Sequence, residues 1–146
     1  DSPFWPLKAL RDKVWLGITS NPMKKAELLL LFADKRLMSS WELFKINKPQ
    51  LAYSTLTKAE KYLEEGSSIE KNERKAGLDT KSFLFTLATA SLKHREIIEG
   101  MLNVVPDDIK PEVIKAEDYS RNVYKECREA LLTQGVSAPE SPFDTN

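Results

Sequence analysis

One cysteine, one histidine and five glycines in 146 residues remove several common chemistries at the outset. A lone thiol, Cys127, cannot close an intramolecular disulfide, so packing alone must hold the fold in any compartment. A single His94 cannot supply the paired histidines of a di-iron bundle or of a His-Glu-x-x-His zinc helix. No Cys-x-x-Cys pair and no glycine-rich phosphate loop occurs either, so structural-zinc and phosphate-cradle readings fail and no cofactor is implied. The shortage of glycine weighs against an all-β fold. A surplus of one charge is also missing: 22 basic side chains balance 22 acidic ones, which removes the long-range attraction on which nucleic-acid binders and anionic-membrane binders depend. No apolar run approaches the roughly 18 residues of a membrane span. The longest, Leu28 to Ala33, is bracketed by Glu27 and Asp34.

What the chain does have is helical spacing with clear punctuation. Its length suits one domain with a core of its own. Pro3 or Pro6 opens a short amphipathic helix carrying Leu7, Leu10, Val14, Trp15 and Ile18, which Thr19-Ser20-Asn21-Pro22 closes. Asn21 is a good N-cap and Pro22 suits a first helical turn. Ala26, Leu30, Ala33, Leu37, Ser40 and Phe44 then recur by alternating fours and threes, the seam of a helix facing a partner. Leu28, Leu29, Leu31 and Phe32 widen that face so far that a second cover is expected, with the first helix nearest to provide it.

Asn47-Lys48-Pro49 breaks the run, and Ala52, Leu56, Ala59, Tyr62 and Leu63 form the next seam, with Lys58, Glu60, Lys61, Glu64 and Glu65 read as its solvent face. This helix either ends at Gly66 or runs to Gly77, the second option being helped by a Glu70–Arg74 pair at i,i+4. Gly77-Leu78-Asp79 reads as a C-cap followed by an N-cap. Leu84, Leu87, Ser91, His94, Ile98, Met101 and Val105 make a further seam, and Val113, Ala116, Ser120, Val123, Cys127 and Ala130 the last, ending near Gln134-Gly135. The fold expected is therefore all-α: an antiparallel up-down bundle of four long helices, each of three matched at roughly 35 Å, with a short N-terminal helix. Residues 1–134 form the bundle domain, and 135–146 read as a disordered tail or linker.

Candidate functional residues are few. His94 lies in an apolar seam, and imidazole is both a proton switch and a metal ligand, although a buried, hydrogen-bonded packing residue is the plainer reading. Cys127 on its seam behaves as a small hydrophobe. Ser68-Ile69-Glu70-Lys71 matches Ser-x-x-Lys without any companion motif and is read as chance. Glu27, Asp34, Lys35 and Arg36 interrupt a very apolar helix as ion pairs, as a binding edge or as a solvated stripe. Trp5, Trp15 and Trp41 could form an interface, although packing of the first helix explains them more simply.

Two segments carry a resemblance. Asp1-Ser2-Pro3-Phe4-Trp5-Pro6-Leu7-Lys8, taken with Lys24-Lys25-Ala26-Glu27-Leu28 and Phe32-Ala33-Asp34-Lys35-Arg36-Leu37, resembles a bacterial family of domains of unknown function whose Ser-Pro-Phe-aromatic start follows a signal or anchor segment. The resemblance extends over about the first 65 residues, to Ala59-Glu60-Lys61-Tyr62-Leu63. It implies an exported or membrane-anchored domain outside the cytoplasm and no particular activity. Asp1 stands where an initiator Met would, so a segment upstream is expected: a signal peptide, an anchor helix or simply further chain without a targeting role. The function expected is a non-enzymatic extracytoplasmic binding module whose partner is another envelope or surface protein. The alternatives are a small-ligand or metal-binding bundle, with His94 and Glu27 or Asp34 turned inward, and an enzyme with an unrecognised site.

Overall fold

A computed structural model gives the fold of residues 20–143; the short first helix with Trp5 and Trp15 lies outside the described residues. Four helices follow one another: α1 (Pro22–Lys45), α2 (Pro49–Lys75), α3 (Lys81–Met101) and α4 (Lys110–Thr133), with one 3-10 turn, Leu102–Val104, after α3. No strand occurs among the described residues. The Asn21 side chain accepts from the N–H groups of Met23 and Lys24, and Pro22 fills the first turn, so α1 starts where those two residues dictate.

Two of the three interhelical reversals and the final exit use matching chemistry at their helix ends, whereas α3 leads into α4 through the 3-10 turn and an extended Val105. After α1, α2 and α4 the chain turns through a left-handed residue, Asn47 at φ 62°, Gly77 at φ 100° and Gly135 at φ 75°. In each case the N–H groups of that residue and of the one after it bond back to carbonyls of the last turns, as Gly77 does to Arg74 and Leu78 to Glu73. Gly66 is not a terminator. It lies buried inside α2 where that helix packs on α1, and an added Cβ would stand in ordinary contact, 3.5 Å from the Ala26 carbonyl oxygen. The continued helix contains the expected i,i+4 pair, Arg74 Nε to Glu70 Oε2 at 2.8 Å. Helix α3 begins one residue later than the Asp79 cap expected, after Thr80; Asp79 still accepts the Lys81 N–H, while the Thr80 hydroxyl is drawn away to Glu70 at 2.6 Å.

Each helix runs opposite to the one before it. Ser40 of α1 donates to the carbonyl of Ala52 in α2 while Gly66 approaches Ala26, as an antiparallel hairpin requires. A second hairpin pairs α3 with α4. The two hairpins stack so that α1 lies beside α3 and α2 beside α4. Asp34 meets His94 and Trp41 meets Gly100, so α1 and α3 run in parallel. Every residue assigned to a seam of these four helices is buried.

The core divides at mid-height. One apolar half gathers Leu29, Leu63, Leu84, Leu87 and Leu131, and the other gathers Leu37, Leu56, Ile98, Met101 and Val113. Between them each helix contributes buried polar groups: Arg36 from α1, Glu60 from α2, Ser91 and His94 from α3, Glu117 and Ser120 from α4. Glu60, read from sequence as part of a solvent face, is fully buried. The reason is that α2 touches three helices and buries two adjacent seams rather than one.

Candidate functional site

The polar waist is the chemically loaded part of the molecule. His94 is 1% exposed, and its two ring nitrogens face carboxylates from two other helices. Nε2 is 2.7 Å from Asp34 Oδ1, and Nδ1 is 3.4 Å from both oxygens of Glu60. Burial alone would lower the pKa of this imidazole, but the hydrogen bonds to Asp34 and Glu60 and their charges outweigh it and raise it to about 9. At neutral pH the ring is an imidazolium donating through both N–H groups, clasped between a sealed carboxylate and one at the surface. The clasp ties α1, α2 and α3 together.

A second buried acid lies one helix away. Glu117 of α4 is 1% exposed and is raised to about 7, first by burial and then by the neighbouring Glu99 carboxylate, against the opposing pull of Arg121 and Arg95. A third, Glu70, accepts from Thr80 and Arg74 near one end of the bundle. Close to it, burial pushes the Cys127 thiol up to about 12, helped by the Glu70 charge, so at neutral pH this cysteine holds its proton.

The sequence candidates fall into different places. Asp34 and His94 are brought together, whereas Glu27 is exposed on α1. Arg36 is buried, with its guanidinium 5.9 Å from the centre of the Tyr62 ring. Trp41 is half-buried beneath the Lys45 ammonium, 5.0 Å from its ring centre. Glu27 and Asp34 both line a shallow groove between α1 and the start of α3, with Leu30, Leu31 and Phe83. Among the described residues no group of three or more His, Cys, Asp or Glu side chains is placed to hold a metal ion. None of the described helices is long and apolar enough to cross a membrane.

Sequence reading missed Glu60 and Glu117, and the signal for both was present. Leu56, Glu60, Leu63, Ser67 and Glu70 step by four and three just as the recognised seam does, and so do Val113, Glu117, Ser120, Tyr124, Cys127 and Leu131. A carboxylate in such a cadence is a buried acid in need of a partner.

A groove of about 760 Å³ opens between α3 and α4. Its inner wall is the waist, through Ser91, Ser120 and Arg95, and its rim carries Arg121, Lys125 and Arg128. Four basic side chains thus converge on one cleft of a chain with no net charge. Arg121 also reaches Glu117 at 3.4 Å and Asp118 at 3.1 Å. The segment after α4, read from sequence as a tail or linker, lies across this cleft as far as Phe143, with Val136 and Ala138 partly buried against the core. The Tyr124 hydroxyl donates to the Pro139 carbonyl at 2.6 Å, and the Arg95 guanidinium stands 4.2 Å from the Phe143 ring centre.

A family model for a domain of unknown function, DUF5667, matches residues 1–108. The chain belongs to the DUF5667 family. The match takes in α1, α2 and α3, and with them all three members of the Asp34–Glu60–His94 clasp, and it ends just before α4. The basic rim on α4 is therefore outside the part of DUF5667 that is matched. No curated protein and no solved structure matched the chain.

Proposed function

We propose that this DUF5667 domain is a non-enzymatic extracytoplasmic interaction module, which takes hold of an acidic segment of a partner protein along the α3/α4 groove. One observation carries the reading: Arg95, Arg121, Lys125 and Arg128 meet at a cleft of about 760 Å³ although the chain as a whole is neutral. Local concentration of one charge steers and orients a partner of the opposite charge. The state of His94 favours binding over turnover, because both ring nitrogens are engaged and the side chain is shut away from any substrate. Placement outside the cytoplasm, with tethering through an upstream segment, follows the resemblance of Asp1 to Lys8 and of the Lys24 to Leu37 stretch.

Capture from envelope extract tests the reading. The wild-type domain enriches a defined partner, released by raised salt, and the exposed double variant Lys125→Glu with Arg128→Glu loses it. Undiminished capture by that variant overturns the groove assignment. Reproducible turnover abolished by His94→Gln overturns the non-enzymatic reading.

A further inference from the structure

The segment already seated on the groove indicates what kind of peptide fits there. Glu140 and Ser141 line the cleft, and Phe143 packs on the Arg95 guanidinium. The Ser141 hydroxyl accepts the Phe143 N–H at 3.2 Å, a local turn across Pro142, whose ring fixes one backbone angle. The Tyr124 hydroxyl holds the backbone carbonyl of Pro139, just ahead of Glu140, and so fastens this segment in place. Three features thus come together at the groove: an exposed acid on the same rim as the basic side chains, a serine-proline turn and an aromatic ring on a guanidinium.

The same pattern occurs once more in the chain. Glu140-Ser141-Pro142-Phe143 is matched at the other end by Asp1-Ser2-Pro3-Phe4, with the acid, the serine, the proline and the phenylalanine in identical order. We propose that the α3/α4 groove is a binding site for acid-Ser-Pro-Phe peptides, filled within the chain by Glu140–Phe143 and able to take Asp1–Phe4 of a second copy when that segment leaves. This rests on the groove being the binding surface and adds the identity of its ligand. The occupant is argued from charge complementarity, from the seated segment and from its repeated sequence. Filling in cis makes the site self-limiting, since an incoming peptide competes with a tethered one at high effective concentration.

Fluorescence anisotropy of a labelled peptide, Asp-Ser-Pro-Phe-Trp-Pro-Leu-Lys, titrated with the full chain, tests the proposal. Phe143→Ala removes the competing ring and leaves the helices intact. It binds the peptide at least tenfold more tightly than wild type does. Tyr124→Phe, which loses the bond to Pro139, shifts affinity in the same direction. Adding Lys125→Glu and Arg128→Glu to Phe143→Ala, or replacing the fourth residue of the peptide by Ala, weakens binding at least tenfold. Equal affinity of wild type and Phe143→Ala, or equal affinity for the Ala-containing peptide, overturns the proposal. If the peptide fails while charge reversal still abolishes partner capture, the ligand assignment alone falls. If charge reversal leaves capture untouched, the groove reading falls with it.

Discussion

Replacing His94 by Leu should be among the most damaging single changes this fold can receive. The substitution is close in volume and suits an apolar seam, so packing alone predicts little loss. Electrostatics predicts the reverse, because Glu60 is fully buried and faces the imidazolium on its two oxygens. Removing one partner of a buried pair strands the other charge, at about 3–5 kcal/mol. For a chain of this length, with an unfolding entropy near 0.3 kcal/mol/K, that loss lowers Tm by roughly 10–16 °C. The Glu60→Leu single change leaves His94 with Asp34 and costs less. The double change, Glu60→Leu with His94→Leu, returns to within about 2 kcal/mol of wild type, since a buried ion pair replaced by well-packed apolar groups is close to neutral. The sign of the pH effect follows from the direction of the shift. A histidine raised from 6.5 to about 9 contributes stability in full below pH 6.5 and loses it as pH climbs through 9, a difference of about 3 kcal/mol. Urea melts of wild type, both singles and the double at pH 6, 7.5 and 9.5 read the effect, with the double showing no decline over the upper interval. A loss below about 1 kcal/mol for His94→Leu would refute the reasoning, and so would wild-type stability that rises from pH 6.5 to 9.

Other outcomes can be checked alongside. Gly77→Ala should cost about 1–2 kcal/mol, or roughly 3–6 °C in Tm, because its φ of 100° is unfavourable for any residue with a Cβ. Glu117 keeps its proton in the folded state up to about pH 7 but loses it near 4.5 when unfolded, so wild-type stability falls as pH rises between those values, and Glu117→Gln should flatten that interval in a chemical-denaturation series. Cys127 should resist a maleimide at pH 7.5 in native protein and react at once in urea, since its thiol is buried and held up at about 12.

The four seams could be read from the spacing of nonpolar residues because that periodicity is a local property of each helix. Asn21, Asn47, Gly77 and Gly135 marked the ends for the same reason: capping and left-handed turns are decided within a few residues. The clasp was not legible in this way. Asp34, Glu60 and His94 are separated by 26 and 34 positions and meet only once α1 lies parallel to α3 with α2 reaching across. In sequence His94 joins Glu27 or Asp34 only in the alternative of a ligand-binding or metal-binding bundle, and Asp34 otherwise reads with Glu27, Lys35 and Arg36 as one charged cluster. Glu60, flanked by Lys58, Lys61, Glu64 and Glu65, looked solvated because one-seam reasoning ignores the second face a helix buries against further neighbours. Gly66 leaves the end of α2 open for a related reason, since a glycine buried where two helices pack looks in sequence like one that stops a helix. The groove depends on tertiary proximity too: Arg95 lies far from Arg121, Lys125 and Arg128 along the chain.

The imidazolium fastens three of the four rods at their midpoints and leaves α4 outside the knot. Peeling α4 away keeps that charged rivet whole, whereas separating any of the other three tears it open. Slow fluctuations of the native protein should therefore begin at α4 and the strap lying on it, with backbone amides there trading deuterium ahead of those in α1 and α2. The binding surface would then sit on the wall of the cylinder that gives way first, and a ligand seated between α3 and α4 would act as the missing fastener.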